Sequence, residues 1–125
     1  MAYETPILDV SLPASTDLSA SQFCAVVANS SKQAALPSGA TVPIMGVLQN
    51  KPNAAGKAAE IRVYGITKLV TNSTGVTNPG DRVGVDSAGN CQTDTTSGHY
   101  VIGIALASGS SGVVVPVLLL PQGKN

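Results

Sequence analysis

A chain of 125 residues with seven basic and seven acidic side chains is one domain without net charge. Six of these cations, Lys32, Lys51, Lys57, Arg62, Lys68 and Arg82, are spread along it, which excludes the clustered basic field that nucleic-acid binding requires. One Phe, no Trp and three Tyr stand against fifteen Ala and fifteen Val, so the core is expected to be thin, because aromatic side chains normally carry much of a small domain's burial.

Residues 1–18 contain Pro6 and Pro13 and alternate irregularly between apolar and polar. Proline breaks helices and biases its predecessor toward extended geometry, so this stretch reads as an extended N-terminal arm. Its Tyr3, Ile7, Leu8, Val10 and Leu12 make it too apolar for a free tail. It is expected to lie on its own domain or on a neighbour. Ser15 or Thr16 could cap one helical turn over Leu18 to Gln22.

A single β domain is expected over 19–125. Phe23 to Ala28 reads as a strand, Asn29 to Lys32 as its turn, and Gln33 to Leu36 as the return. Val42 to Gln49 is the next strand, where Gly46 marks a bulge or a close approach of another backbone. Glu60 to Val70 is the clearest strand. Ile61, Val63, Gly65, Thr67 and Leu69 fall on one face and Glu60, Arg62, Tyr64 and Lys68 on the other, the period of a half-buried antiparallel strand.

Beyond a polar connection at Thr71 to Pro79, Arg82 to Val85 leads into a turn at Asp86 to Asn90. Tyr100 to Ala107 and Val113 to Leu120 then flank a Ser/Gly connection. The last strand is apolar on both faces. It is therefore central or covered by a partner, with Pro116 favouring an edge or a bulge. Val115, Val117 and Leu119 are the expected contacts with such a partner.

The chain repeats itself. Pro43-Ile44-Met45-Gly46-Val47-Leu48 has the layout of Tyr100-Val101-Ile102-Gly103-Ile104-Ala105, Gly46 falling on Gly103. The same offset sets Val26 on Val83, Ala28 on Val85 and Asn29-Ser30 on Asp86-Ser87. The expected architecture is all-β: a small antiparallel β-sandwich or barrel of two similar halves, about 22–70 and 80–121, with an extended arm in front.

Nothing in the sequence carries catalysis. His99 stands alone, and there is no nucleophile elbow, P-loop or dinucleotide glycine run. Asp81, Asp86 and Asp94 lack the spacing of a calcium loop and read as turn residues accepting local backbone hydrogen bonds. Cys24 and Cys91 have no metal-type spacing and are expected to be buried and reduced. The N-terminus lacks the features of an export signal, and Val113 to Leu120 is too short to span a bilayer. No enzyme activity, metal, cofactor, nucleic acid or membrane is expected.

Several blocks follow one another in a recognisable order. They are Asp17-Leu18-Ser19-Ala20-Ser21-Gln22-Phe23, Gly46-Val47-Leu48-Gln49-Asn50-Lys51-Pro52, Val63-Tyr64-Gly65-Ile66-Thr67-Lys68, Gly80-Asp81-Arg82-Val83 and Ile102-Gly103-Ile104-Ala105, ending in the apolar terminal strand. In that order, from about Asp17 to Pro121, the chain resembles the small head-decoration (cement) proteins of tailed bacteriophages. The resemblance implies a small antiparallel β-sandwich or β-tulip-like barrel and a structural virion protein, made in the host cytoplasm, that binds the outside of an expanded capsid. It implies trimers over local three-fold positions, with major capsid protein and further copies of itself as partners. It also implies an arm that pairs with a capsid-protein strand, a role that would fall on Tyr3, Ile7, Leu8, Val10 and Leu12. A thin core and a charge content of 11%, against about 25% in a typical domain, independently suggest a surface partly covered by association. The alternatives are a carbohydrate-binding or adhesin module, which would use exposed aromatics, and a tail or vertex structural protein.

Overall fold

The computed structural model describes residues 2–125, with the backbone alone for Pro121 and Gln122. Nine strands and no helix occur among these residues: β1 (Thr5–Pro13), β2 (Ala25–Ala28), β3 (Ala34–Ala35), β4 (Gly46–Leu48), β5 (Ala58–Val70), β6 (Arg82–Val85), β7 (Cys91–Thr93), β8 (Tyr100–Ala105) and β9 (Val114–Lys124). All strand pairings are antiparallel, in a curled sheet of order β3-β2-β4-β5-β9-β8-β6-β7, with β1 added on β5. The expected helical turn after Ser15 does not form. Asp17 instead accepts bonds from the Ser19 N–H and hydroxyl, at 2.9 and 2.6 Å, and this local competition holds a turn in place of a helix.

The strand order is a palindrome of two equivalent halves, and the pairing repeats residue for residue. At the offset that carries Gly46 onto Gly103, Ala25–Val47 and Val26–Gly46 between β2 and β4 recur as Arg82–Ile104 and Val83–Gly103 between β6 and β8. Val27–Ala35 and Ala28–Ala34 recur as Gly84–Gln92 and Val85–Cys91. Past β4 and β8 the offset shortens by one position: Val47–Arg62 and Leu48–Ile61 become Ile104–Leu118 and Ala105–Val117.

The repeat reaches into the arm as well. The isolated parallel bridge Ala14–Ala34 returns as Thr71–Cys91, so β1 stands to the first hairpin as β5 stands to the second. β1, β5 and β9 are three copies of one long strand. Their joints match: Pro13–Ala58 and Leu12–Ala59 between β1 and β5 correspond to Val70–Val114 and Leu69–Val115 between β5 and β9.

Two hydrophobic clusters follow the same arithmetic. One contains Ala14, Val26, Ala34, Leu48, Ala59 and Ile61 together with Leu18. The other contains the equivalents of five of those six, Val83, Cys91, Ala105, Val115 and Val117, the buried Thr71 answering to Ala14, and is extended by Ala25, Val47, Leu69, Val76, Val85 and Leu119. Neither cluster holds an aromatic ring. Equivalent sites differ most in size at Leu48 of the first cluster and Ala105 of the second.

The two organising glycines serve close packing. A Cβ on Gly46 would run into the Arg62 carbonyl of β5, and one on Gly103 into the Leu118 carbonyl of β9. Each glycine lets the neighbouring long strand cross at backbone distance.

The alternation expected in β5 holds, with Ile61, Thr67 and Leu69 fully buried and Glu60 and Tyr64 exposed. β9 is central, between β5 and β8, so strands of its own chain flank both of its edges. Pro116 lies just past the last β8–β9 pair in that direction, Ala105–Val117, where a missing N–H costs the ladder least.

Candidate interaction surface

The arm is built onto the domain by a buried cation. Arg62 of β5 is 7% exposed. Its Nε and Nη2 donate to the Asp9 carboxylate at 2.9 and 3.2 Å, and its Nη1 donates to Glu4 at 2.8 Å and to the Ile66 carbonyl at 3.2 Å. The Asp9 bonds raise the guanidinium's pKa, burial opposes them, and the Glu4 bond adds to the rise. Lys68 reaches the other Glu4 oxygen at 3.5 Å. A guanidinium fork matches a carboxylate in two-point contact, so this pair fixes the register of β1 on β5 as well as its attachment.

Of the expected arm residues, Val10 and Leu12 pack on the first cluster. Tyr3, Ile7 and Leu8 stay 48, 63 and 51% exposed. For Ile7 and Leu8 the reason is a register irregularity: the pairing jumps from Pro6–Gly65 to Leu8–Tyr64 and then to Asp9–Arg62, leaving Ile7 without a partner in the ladder. A bulge of this kind breaks the alternation and turns consecutive side chains outward. Among the described residues, β1 pairs only with β5 apart from the bridge at Ala14, so its second edge is open along Thr5–Pro13.

The expected partner contacts on β9 lie elsewhere than on a surface. Val115, Val117 and Leu119 are buried in the second cluster. β5 and β8 flank β9 and complete its burial within the chain, so Val115 and Val117 are core residues sealed from any partner, and Leu119 reaches only the wall of a groove. Their apolar character was visible in the sequence; which neighbour would cover it was not.

A groove of about 710 Å³ opens where the halves meet, and sequence reasoning did not anticipate it. Its walls are the two repeated segments, Pro43 to Gly46 and Tyr100 to Ile102, with Leu8 of β1, Val63 and Tyr64 of β5, and Leu119, Leu120 and Gly123 of β9. It exists because β9 follows β5 only from Val70–Val114 to Gly65–Leu119. Beyond that point the same edge of β5 carries β4, at Arg62–Val47 and Ile61–Leu48, while β9 turns away with β8, pairing at Val101–Gly123 and Tyr100–Lys124. The wedge between them is lined almost wholly by apolar side chains.

Polar residues elsewhere perform structural work. Asp81, Asp86 and Asp94 each accept a backbone N–H within four residues, from Asn78, from Ala88 and Asn90, and from Thr96. His99 Nδ1 sits 2.8 Å from the buried Asp94 carboxylate. Cys24 and Cys91 are free thiols in buried positions, and burial pushes them up to about 11 and about 12 respectively. Among the described residues no group of three or more His, Cys, Asp or Glu is placed to hold a metal ion.

An all-β domain with an open strand edge, an apolar groove and its polar groups engaged in turns and ion pairs defines a structural binding protein. The chain belongs to the phage cement protein family, whose model matches residues 3–119. Among curated proteins none matches the sequence. Among solved structures it is similar to the head fiber gp8.5 N base of bacteriophage phi29, with a TM-score of 0.64 at 14% identity, over 94% of this chain and 97% of that one. At that identity the likeness speaks for the fold.

Proposed function

We propose that this protein binds the outer surface of an expanded phage capsid through major capsid protein, as homotrimers at local three-fold positions, and stabilises the shell without catalysing a reaction. It is made in the host cytoplasm and ends on the virion. The observation that carries this reading is the arm: a nine-residue strand whose inner edge is locked to β5 through Arg62 and whose outer edge is open. Such an edge takes an extended segment of another chain by strand addition. Asp9 to Pro13 offer main-chain groups, and Ile7 and Leu8 offer exposed apolar side chains. The charge-poor surface favours contact with protein over contact with water. Each interface is modest, and strength comes from many copies acting on one particle.

The test is co-sedimentation with expanded shells. Ile7→Asp, on a side chain that is 63% exposed, leaves the domain folded and lowers retention on shells at least tenfold. Deletion of residues 3–12 abolishes retention. Undiminished binding by the Asp variant and by the deletion would refute the arm's role.

A further inference from the structure

The two faces of the arm differ in chemistry at its open edge. Ala14 turns its main chain to β5, accepting a bond from the Gly56 N–H and donating one to the Lys57 carbonyl, both at 2.8 Å. Main-chain direction alternates along a strand, so Leu12 and Val10 also bond toward β5, while the N–H and C=O groups of Ser11 and Asp9 point to the free edge. Side chains alternate between the faces. Val10 and Leu12, opposite Ile61 and Ala59, lie on the first hydrophobic cluster and stay half-buried. Asp9 and Ser11, opposite Arg62 and Glu60, occupy the other face. One carboxylate on that face is uncommitted. Asp9 and Glu4 are taken up by Arg62. Glu60 is exposed, and its bonds are made by its main chain, its N–H donating to the Asn50 side chain and its carbonyl accepting from Gln49. Among the described residues no ion pair forms at its carboxylate. Between Glu60 and the free edge stands only Ser11, whose side chain is too short to cover it.

We propose that the segment of major capsid protein added at this edge has an apolar–basic–apolar pattern, with its lysine or arginine opposite Ser11 and reaching over it to Glu60. A residue directly opposite Ser11 puts its side chain on the face of Ser11. Its two neighbours then fall opposite Val10 and Leu12, where apolar side chains extend the first cluster by one strand. Two strand spacings, about 10 Å, separate the backbone of the incoming cation from that of Glu60. A long basic side chain and a glutamate close that span together when only a serine lies between them. An acidic residue in the same place would face the carboxylates of Glu60 and Asp9, and like charges set against each other exclude a wrong partner. Faces alternate in the same way for a segment running parallel or antiparallel to β1, so the pattern holds for either direction. The inference rests on the strand addition proposed above and names the chemistry of the strand that is added.

Co-sedimentation with expanded shells across a salt series tests it, with full-length variants whose melting temperatures match the parent. Glu60→Gln removes the charge from an exposed side chain and lowers affinity for shells about threefold to tenfold at low salt. Glu60→Lys sets a cation against the incoming one and lowers it at least tenfold. Both losses shrink as salt rises toward about 1 M, where exposed charges are screened. Ser11→Pro removes an N–H aimed at the free edge and none bonded to β5, and it lowers affinity at least tenfold at every salt concentration. The proposal is overturned if both Glu60 variants bind as the parent does throughout the series, or if Ser11→Pro does, since neither result is compatible with a cation held opposite Ser11. The two readings separate. Loss of binding in Ser11→Pro with full binding by both Glu60 variants removes the basic residue and leaves strand addition standing. A parent chain that does not sediment with shells removes the cement role and the pattern together.

Discussion

The same turn occurs twice in this protein with different residues at its one left-handed position, and the contrast predicts opposite outcomes for substitution. In the first half the Asn29 side-chain oxygen accepts the N–H groups of Ser31 and Gln33 at 3.0 and 2.9 Å. In the second, Asp86 does the same for Ala88 and Asn90 at 2.9 and 3.0 Å. The fourth residue is Lys32 at φ 62° in one and Gly89 at φ 79° in the other. A side chain in this region costs about 1–2 kcal/mol. Lys32→Gly removes that strain and returns about 0.4–1 kcal/mol through the freer unfolded chain. Because Lys32 is exposed, it gives up no packing, and the net expectation is a gain of about 0.5–1 kcal/mol, or roughly 2–5 °C in Tm for a domain of this size.

Gly89→Ala goes the other way. Besides the backbone strain, its Cβ would run into the Ala25 carbonyl and lie 2.9 Å from the Ala25 nitrogen. The N–H of Ala25 donates to the Gly89 carbonyl at 2.8 Å, so the strand start cannot withdraw without losing that bond. Strain of about 1–2 kcal/mol and overpacking of about 1–3 kcal/mol together cost about 2–5 kcal/mol. Urea unfolding at constant m-value measures both variants. The reading of the two turns as one geometry in different surroundings fails if Lys32→Gly is destabilised. It fails equally if Gly89→Ala unfolds within about 0.5 kcal/mol of the parent, the range of an inconsequential surface change.

Two further outcomes follow from the arm and the thiols. Arg62→Met should lower stability by about 1–2 kcal/mol, the charge-assisted bonds being discounted because Asp9 and Glu4 remain about a third exposed. It should also speed amide exchange in β1 well before global unfolding, whereas uniform exchange across all strands would show that the cation does not hold the arm. The thiols give an alkaline limit. Their folded pKa values of about 11 and about 12 exceed the ordinary 9.0, so their contribution is complete below pH 9. It is lost as pH rises from there through the folded values, at up to about 1.4 kcal/mol per pH unit for each thiol. A Cys24→Ala, Cys91→Ala double variant should lose less stability than the parent between pH 9 and 11, and parallel pH curves for the two would contradict this.

Local chemistry was legible from the sequence because it depends on neighbours along the chain. Two-residue alternation assigned the faces of Glu60 to Val70, Asx acceptors and glycine marked the turns, and the return of the Gly46 segment at Gly103 announced the doubled unit. The all-β class followed from the same signals, as did the buried state of the cysteines. The block order over most of the chain pointed to the cement family.

What depended on partners distant in sequence was decided only by the tertiary structure. Arg62 sat rightly on the polar face of its strand. Its burial, however, comes from the carboxylates of Asp9 and Glu4 far back in the arm, and no local pattern encodes that. Val115, Val117 and Leu119 were visibly apolar, but whether a neighbouring strand or another molecule covers an apolar strand is a matter of sheet order. Least visible was the kinship of β1 with β5 and β9, since pairing is made by main-chain groups that every residue carries. Side chains on these long strands diverged while the hydrogen-bond register stayed, so the third copy of the strand, and the groove where the two halves meet, exist only in three dimensions.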